Sequence, residues 1–241
     1  MRRVAMTLAI ILAACAAPIA MSTSNIAAAQ TTASPVPAQL PPSDSADIDP
    51  SKAPAGNYAM DPRHASVVWR LRHMGLSIYT ARFDGCTATQ GNTCTTPGVS
   101  ATMVFNPQHP EQSTVNATIQ VAALDTGLGT DHAFDHEIGN VLSDNGAAPT
   151  ITFVSTSVTR TGPTTGLVTG NLTLHGQTHP ATMEVTFQGG RVPPFHNNKY
   201  DLAFTGRTII QRNQWGAGNL IMNQFAGNDV EVIIQGEFVQ Q

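Results

Sequence analysis

Apolar and polar side chains alternate along much of the chain beyond residue 57, and this period of two restricts the fold more than any other feature. Val67, Trp69 and Leu71 would share one face of an extended segment, whereas Arg70 and Arg72 would share the other. Successive side chains of a β-strand point to opposite faces of a sheet, so the segment predicts a half-buried strand. The same alternation occurs in four further runs, at residues 115–121, 168–174, 183–187 and 230–234.

The predicted strands are short, rich in Thr, Val and Ile, and separated by turn residues such as Asn106-Pro107, Gly162-Pro163 and Gly189-Gly190. Branched side chains favour strands, whereas Gly, Pro and Asn interrupt them. About eight or nine strands at this spacing predict an all-β fold, either a sandwich or an antiparallel up-and-down β-barrel.

One segment, residues 130–142, departs from the strand pattern. Phe134, Ile138 and Val141 follow an approximately helical spacing, and Asp131 stands where a side chain would cap the first turn. The segment therefore predicts one short helix among the strands.

Residues 1–29 have the layout of a secretory signal peptide. Arg2 and Arg3 precede a mostly apolar run over residues 4–20, and small residues then lead to Gln30. The run is short for a membrane-spanning helix, so we expect cleavage before Gln30 and a periplasmic protein.

A second interpretation of the N-terminus stays open, because Leu12-Ala13-Ala14-Cys15 also resembles a lipobox. A lipid on Cys15 would tether the protein to a membrane. Residues 30–56 that follow are rich in Pro, Ser, Ala and Asp and poor in large aliphatic side chains. They predict a disordered linker, which leaves residues 57–241 as one folded domain.

The charge of the chain argues against nucleic acid as a partner. Removing Arg2 and Arg3 from the 12 Lys and Arg residues leaves ten basic residues against 16 acidic ones. Tight binding of phosphate backbones needs clustered basic side chains, which a mildly acidic, charge-poor chain does not offer.

Cys86 and Cys94 are separated by small and polar residues that include Gly91-Asn92, a turn signal. In an oxidising compartment two such cysteines predict a disulfide at the tip of a hairpin. The alternative is a pair of metal ligands, but no second pair lies nearby in the sequence.

A metal site is conceivable in the predicted helix, where His132 and His136 would share a face beside Asp131, Asp135 and Glu137. Such a site would make the protein a metal-dependent enzyme or a redox partner. The same residues equally describe an ordinary polar helix face, and no nucleophile motif of the Gly-x-Ser-x-Gly type occurs. We therefore predict no catalytic residues, no cofactor and no enzymatic activity.

Short motifs spread along the domain resemble the YceI-like family. Each motif is weak alone, but their order and spacing are specific. They comprise Asp61-Pro62-Arg63-His64-Ala65-Ser66-Val67, His73-Met74-Gly75-Leu76-Ser77, Ala81-Arg82-Phe83-Asp84-Gly85, Phe105-Asn106-Pro107, Gly170-Asn171-Leu172-Thr173-Leu174-His175-Gly176-Gln177-Thr178-His179-Pro180 and Ile210-Gln211-Arg212-Asn213-Gln214-Trp215-Gly216.

The resemblance implies a lipocalin-like antiparallel barrel with an elongated tunnel that holds an isoprenoid, such as a quinone or polyprenyl lipid, or a similar long-chain amphiphile. It implies a binding or carrier protein; whether the chain forms a homodimer stays open. Two departures stand out. The stretch Phe134-Asp135-His136-Glu137-Ile138-Gly139 lacks an arginine that the family often has there, and the Cys86–Cys94 insertion replaces a plain hairpin.

A tunnel for a prenyl chain needs apolar walls, which the inward positions of the predicted strands would supply. The alternative is a barrel packed solid with side chains. His73, at a strand end, is predicted to lie at the mouth and to contact a head group. The wall residues are predicted to be Trp69, Leu71, Phe83, Phe105, Ile119, Phe153, Leu172, Leu174, Phe187 and Phe204.

Overall fold

A computed structural model describes residues 46–130, 132–218 and 220–241 of the chain. This part is built mainly from β-strands, with two short α-helices and four short 3-10 turns. The strands are β1 (Gly56–His73), β2 (Ser77–Asp84), β3 (Cys86–Gln90), β4 (Thr93–Pro97), β5 (Val99–Phe105), β6 (Thr114–Gln120), β7 (Leu124–Asp125), β8 (Thr150–Arg160), β9 (Thr165–Leu174), β10 (Gln177–Arg191), β11 (Asp201–Gln211) and β12 (Ala226–Gln240), and the helices are α1 (Ala133–Leu142) and α2 (Leu220–Phe225).

Eight of the strands form a closed antiparallel barrel. Around the barrel the order is β1, β5, β6, β8, β9, β10, β11 and β12, and pairing of β12 with β1 closes the ring. Trp69 of β1, for example, lies opposite Val232 of β12. Each of these eight strands is thereby paired on both sides. The predicted all-β, up-and-down barrel is thereby confirmed, and the sandwich is excluded.

The strand next to β1 is interrupted by a hairpin excursion. β2 pairs with residues 66–73 of β1 and β5 pairs with residues 56–59, while β3 and β4 leave the barrel between them as a separate two-stranded sheet. A Cβ on Gly85 would lie 2.2 Å from the Pro62 carbonyl oxygen, so only glycine fits where the chain turns away. The predicted disulfide between Cys86 and Cys94 ties β3 to β4 and is confirmed.

The strand registers define two ends of the barrel. The end that carries α1 and α2, here called the helical end, contains the turns after β1 and β9 and the β11–β12 connection. The opposite end contains the turns after β5, β8 and β10. The predicted helix corresponds to α1, whereas α2 was not predicted; Asp131, the predicted cap, lies outside the described residues.

The predicted disordered linker is wrong at its C-terminal part. Asp47 pairs with Gly190 through two backbone hydrogen bonds of 3.0 and 2.9 Å, and Ala53 is only 3 % exposed in the core. β1 also begins at Gly56, one residue inside the predicted linker. Composition averages over a window, so it cannot detect two hydrogen bonds and one buried methyl group that depend on a distant strand.

Residues 30–45 of the predicted linker, the predicted signal peptide and Cys15 lie outside the described residues. Within the part of the chain that the structure describes, no helix has the length and apolarity needed to cross a bilayer.

Candidate binding cavity inside the barrel

The barrel encloses an apolar cavity of about 840 Å³ that extends along its length. Its wall follows directly from the alternation in the sequence, because one face of each strand points inward. On β1, Val67, Trp69 and Leu71 line the cavity, whereas Arg70 and Arg72 lie exposed outside. The interior is thus hollow, and the alternative of a barrel packed solid does not hold.

The eleven residues predicted for the wall and mouth all line this cavity. Contact between any of them and a ligand stays a prediction. They are Trp69, Leu71, His73, Phe83, Phe105, Ile119, Phe153, Leu172, Leu174, Phe187 and Phe204.

Helix α1 contributes part of the wall that strand periodicity could not reveal. Phe134, Ile138 and Val141 line the cavity from the helical end. The ring of Phe134 contacts Tyr79 edge-on at 6.3 Å between centroids, and Tyr79 lies 5.9 Å from Trp69. The helical spacing of these residues predicts the helix from sequence, but the position of the helix across the barrel is visible only in the fold.

Aromatic rings crowd the opposite end of the cavity. Phe105 stacks on Phe187 at 6.4 Å between centroids, and Phe204 contacts Phe187 at 5.3 Å and Phe238 at 6.1 Å, in each case with the rings steeply inclined. Such contacts add to the free energy of burying the rings. Burial raises the pKa of the neighbouring Tyr58 to about 12, so its hydroxyl stays protonated and donates to the Pro54 carbonyl oxygen at 2.8 Å.

Arg212 is a buried cation at the helical end that sequence reasoning missed. It is 7 % exposed, and its guanidinium donates hydrogen bonds to the carbonyl oxygens of Ala217, Ala226 and Gly227 and to the side chain of Asn223, all between 2.7 and 2.9 Å. Burial lowers the pKa of Arg212. Through these hydrogen bonds to neutral acceptors, Arg212 holds the β11–β12 connection in place over the barrel.

The rim of the helical end carries exposed apolar side chains. Leu76, at the β1–β2 turn, is 81 % exposed, and Met74, Ile78, Leu128 and Phe225 are also exposed. Three of these five, Ile78, Leu128 and Phe225, also line the cavity. His73 is exposed and lines the cavity beside them, and its contact with a head group stays a prediction.

The start of α1 is tied to the preceding loop through a buried carboxylate. Asp135 accepts hydrogen bonds from the backbone NH of Thr126 at 2.8 Å and from its hydroxyl at 2.6 Å, and lies 2.7 Å from the His132 ring. The Thr126 hydroxyl and the other donors hold the pKa of Asp135 below its usual value of 3.8, despite the opposing effect of burial.

The alternative of a metal site in the helix gains no support from this arrangement. His132 contacts Asp135, whereas His136 is exposed on the helix surface. Across residues 46–130, 132–218 and 220–241, no three His, Cys, Asp or Glu side chains converge as metal ligands. Asp131, which lies beside the two histidines in the sequence, is outside these ranges.

A closed eight-stranded antiparallel barrel around an apolar cavity defines the class of protein. The model of the YceI-like domain family matches residues 58–238, and the chain belongs to this family. Among curated proteins, it is 30 % identical over 173 residues to a UPF0312 protein of Pseudomonas savastanoi pv. phaseolicola, covering 70 % of this chain and 80 % of that protein. A UPF0312 protein of Shewanella putrefaciens is 26 % identical over 193 residues, covering 78 % and 91 %.

Solved structures share the fold at low sequence identity. BcnA of Burkholderia cenocepacia aligns with a TM-score of 0.60 at 21 % identity, over 74 % of this chain and 98 % of that one. A polyisoprenoid binding domain from Saccharophagus degradans, implicated in plant cell wall breakdown, aligns with a TM-score of 0.50 at 12 % identity, over 76 % and 98 %. At these identities the likeness concerns the fold alone.

Proposed function

We propose that the protein binds and carries a long-chain isoprenoid lipid, of the quinone or polyprenyl type, inside its barrel and catalyses no reaction. The observation that carries the proposal is the apolar cavity of about 840 Å³ that extends between the two ends of the barrel. A folded protein rarely keeps so large an apolar space unless a ligand fills it.

The chemistry of the wall suits a prenyl chain. Side chains from β1, β6, β9, β10, β12 and α1 surround the space, and most of them are aliphatic or aromatic. Each buried CH₂ group of a ligand contributes about 0.8 kcal/mol, so a long chain gains affinity without hydrogen bonds. The shared fold with the Saccharophagus domain, which is described as polyisoprenoid-binding, supports the same ligand class.

The ligand enters, in this proposal, through the helical end. Exposed apolar side chains such as Leu76 and Ile78 surround the mouth there, and an apolar rim lowers the cost of moving a prenyl chain from a membrane into the barrel. The signal peptide predicted for residues 1–29 would deliver the protein to the periplasm, where it would meet such lipids; lipidation of Cys15 would instead hold it at a membrane.

Native mass spectrometry of the full-length protein purified from its own host tests the proposal. We expect a co-purified lipid, and we expect Ala117→Trp to lose most of it because Ala117 lines the cavity on β6 and the larger ring would block the space. Asn116→Trp is the matched control, since Asn116 lies exposed on the same strand. A ligand-free protein that also fails to take up quinones and polyprenyl lipids would contradict the proposal.

A further inference from the structure

The indole NH of Trp69 is an unusual feature of the cavity wall. Trp69 is 9 % exposed and lines the cavity, and its Nε1 atom is buried without a hydrogen-bond partner among the described residues. Buried indole NH groups usually have a partner, because an unpaired buried donor loses the hydrogen bond that it makes with water in the unfolded chain.

Trp215, the second tryptophan of the chain, shows the ordinary arrangement. It is 2 % exposed, and its Nε1 donates to the Leu172 carbonyl oxygen at 2.9 Å. Trp215 belongs to the packed core and does not line the cavity. The unpaired donor thus belongs to the tryptophan whose side chain lines the ligand space; Nε1 itself is fully buried, so a ligand oxygen reaches it when the indole rotates toward the cavity.

The residues paired with Trp69 on the neighbouring strands offer no acceptor side chain. Trp69 lies opposite Ala81 on β2 and Val232 on β12, both of which are apolar. The nearest ring is Tyr79, whose hydroxyl lies 3.5 Å from the Thr126 carbonyl oxygen and so points toward the loop after β7. Trp69 precedes His73 by four residues on β1, which corresponds to about 13 Å along the strand from the rim.

We propose that Trp69 donates a hydrogen bond to an uncharged acceptor oxygen of the bound lipid, which places the polar head group inside the barrel rather than at the rim. This inference rests on the proposed function and narrows it to ligands such as isoprenoid quinones, whose carbonyl oxygens accept hydrogen bonds. A buried phosphate would need a cation. The two arginines that line the cavity, Arg160 and Arg212, already donate to carbonyl oxygens of the protein.

A competition experiment tests the inference. The full-length protein, stripped of lipid, is equilibrated in detergent with squalene, a ubiquinone and a polyprenyl diphosphate whose tails have the same number of isoprene units, and the bound ratio is read by mass spectrometry. We expect the wild-type protein to prefer the ubiquinone. Trp69→Phe should shift the quinone-to-squalene ratio about three- to tenfold toward squalene, the size expected for one hydrogen bond.

Trp215→Phe is the matched control and should leave the ratio unchanged. Infrared spectra of the wild-type complex give a second measurement that needs no variant: the carbonyl band of the bound quinone should lie below its position in hydrocarbon solvent. An unchanged ratio in Trp69→Phe, an unshifted band, or a preference for the diphosphate would overturn the inference while leaving lipid binding intact. A wild-type protein that takes up none of the three probes overturns both.

Discussion

Individual polar side chains hold the helical end of the barrel in place over the cavity. Asp135 joins the start of α1 to the loop at Thr126, and Arg212 joins the β11–β12 connection to β12. Both side chains are buried and both are satisfied by short hydrogen bonds, largely to neutral groups. Removing one partner of a buried, hydrogen-bonded charge lowers the free energy of unfolding by more than the bond itself contributes. The reason is that the remaining buried groups are left without hydrogen-bond partners.

Asp135→Asn should destabilise the protein in a pH-dependent way. The pKa of Asp135 is lowered in the folded state, so its carboxylate stabilises the fold fully above the ordinary value of 3.8 and loses this effect as the pH falls through the lowered pKa. We expect Asn to reduce the free energy of unfolding by about 1–2 kcal/mol at neutral pH and by much less at strongly acidic pH.

Urea denaturation of the wild type and of Asp135→Asn across this pH range is the measurement. Glu137→Gln is the control, because Glu137 lies exposed on the same helix and should change stability little. If the free energies of unfolding of the wild type and Asp135→Asn differ by the same amount down to strongly acidic pH, the ionised carboxylate does not have the proposed role.

Among the elements, the β3–β4 hairpin is the one that stands apart from the cavity. It forms its own two-stranded sheet outside the barrel, closed by the Cys86–Cys94 disulfide. No residue from Gly85 to Gly98 lines the cavity. Changes in this hairpin should therefore alter the stability of the protein without altering ligand binding.

A Cys86→Ser, Cys94→Ser double variant should lower the free energy of unfolding by at most about 2–3 kcal/mol, because the disulfide closes only a short loop. Lipid uptake should remain at the wild-type level. Denaturation curves and lipid content by mass spectrometry check the two halves of the prediction, and a thiol assay on denatured, unreduced wild type should find no reactive cysteine among Cys86 and Cys94. Loss of lipid in a folded double variant would show that the hairpin supports the cavity after all.

As a whole molecule, the barrel combines a closed hydrogen-bonded shell with an apolar interior that its own side chains do not fill. A ligand that binds only the folded barrel must stabilise it, since unfolding destroys the site. Filling the space also restores dispersion contacts that the wall residues lack. Ligand content and thermal stability should therefore change together.

Stripping the protein of lipid should lower its Tm, and a ubiquinone at about one hundred times its Kd should raise the free energy of unfolding by about 2.7 kcal/mol. Calorimetry of the stripped and reloaded protein measures the effect. In Ala117→Trp, whose cavity is blocked, added quinone should leave Tm unchanged, whereas Asn116→Trp should respond like the wild type. Equal Tm values for stripped and loaded wild-type protein would mean that the ligand does not occupy the folded barrel.

Local sequence was sufficient to predict the strands, their inward faces and the disulfide, because each depends on neighbours in the chain. Alternation places Val67, Trp69 and Leu71 on one apolar face of their strand, and the short polar loop between Cys86 and Cys94 brings the sulfurs together. The family motifs predicted the barrel, and they imply the ligand class that we propose.

The folded structure was needed to show which of these inward faces enclose empty space and which polar groups have hydrogen-bond partners. Whether the interior is hollow depends on the number of strands in the closed ring and on where α1 lies, and neither is encoded within one strand. The contacts of Ala53, Arg212 and Trp69 likewise depend on residues far away in the chain, such as Leu202 near Ala53 and Gly227 near Arg212. A buried donor can be identified as satisfied or unpaired only after the chain has closed around it.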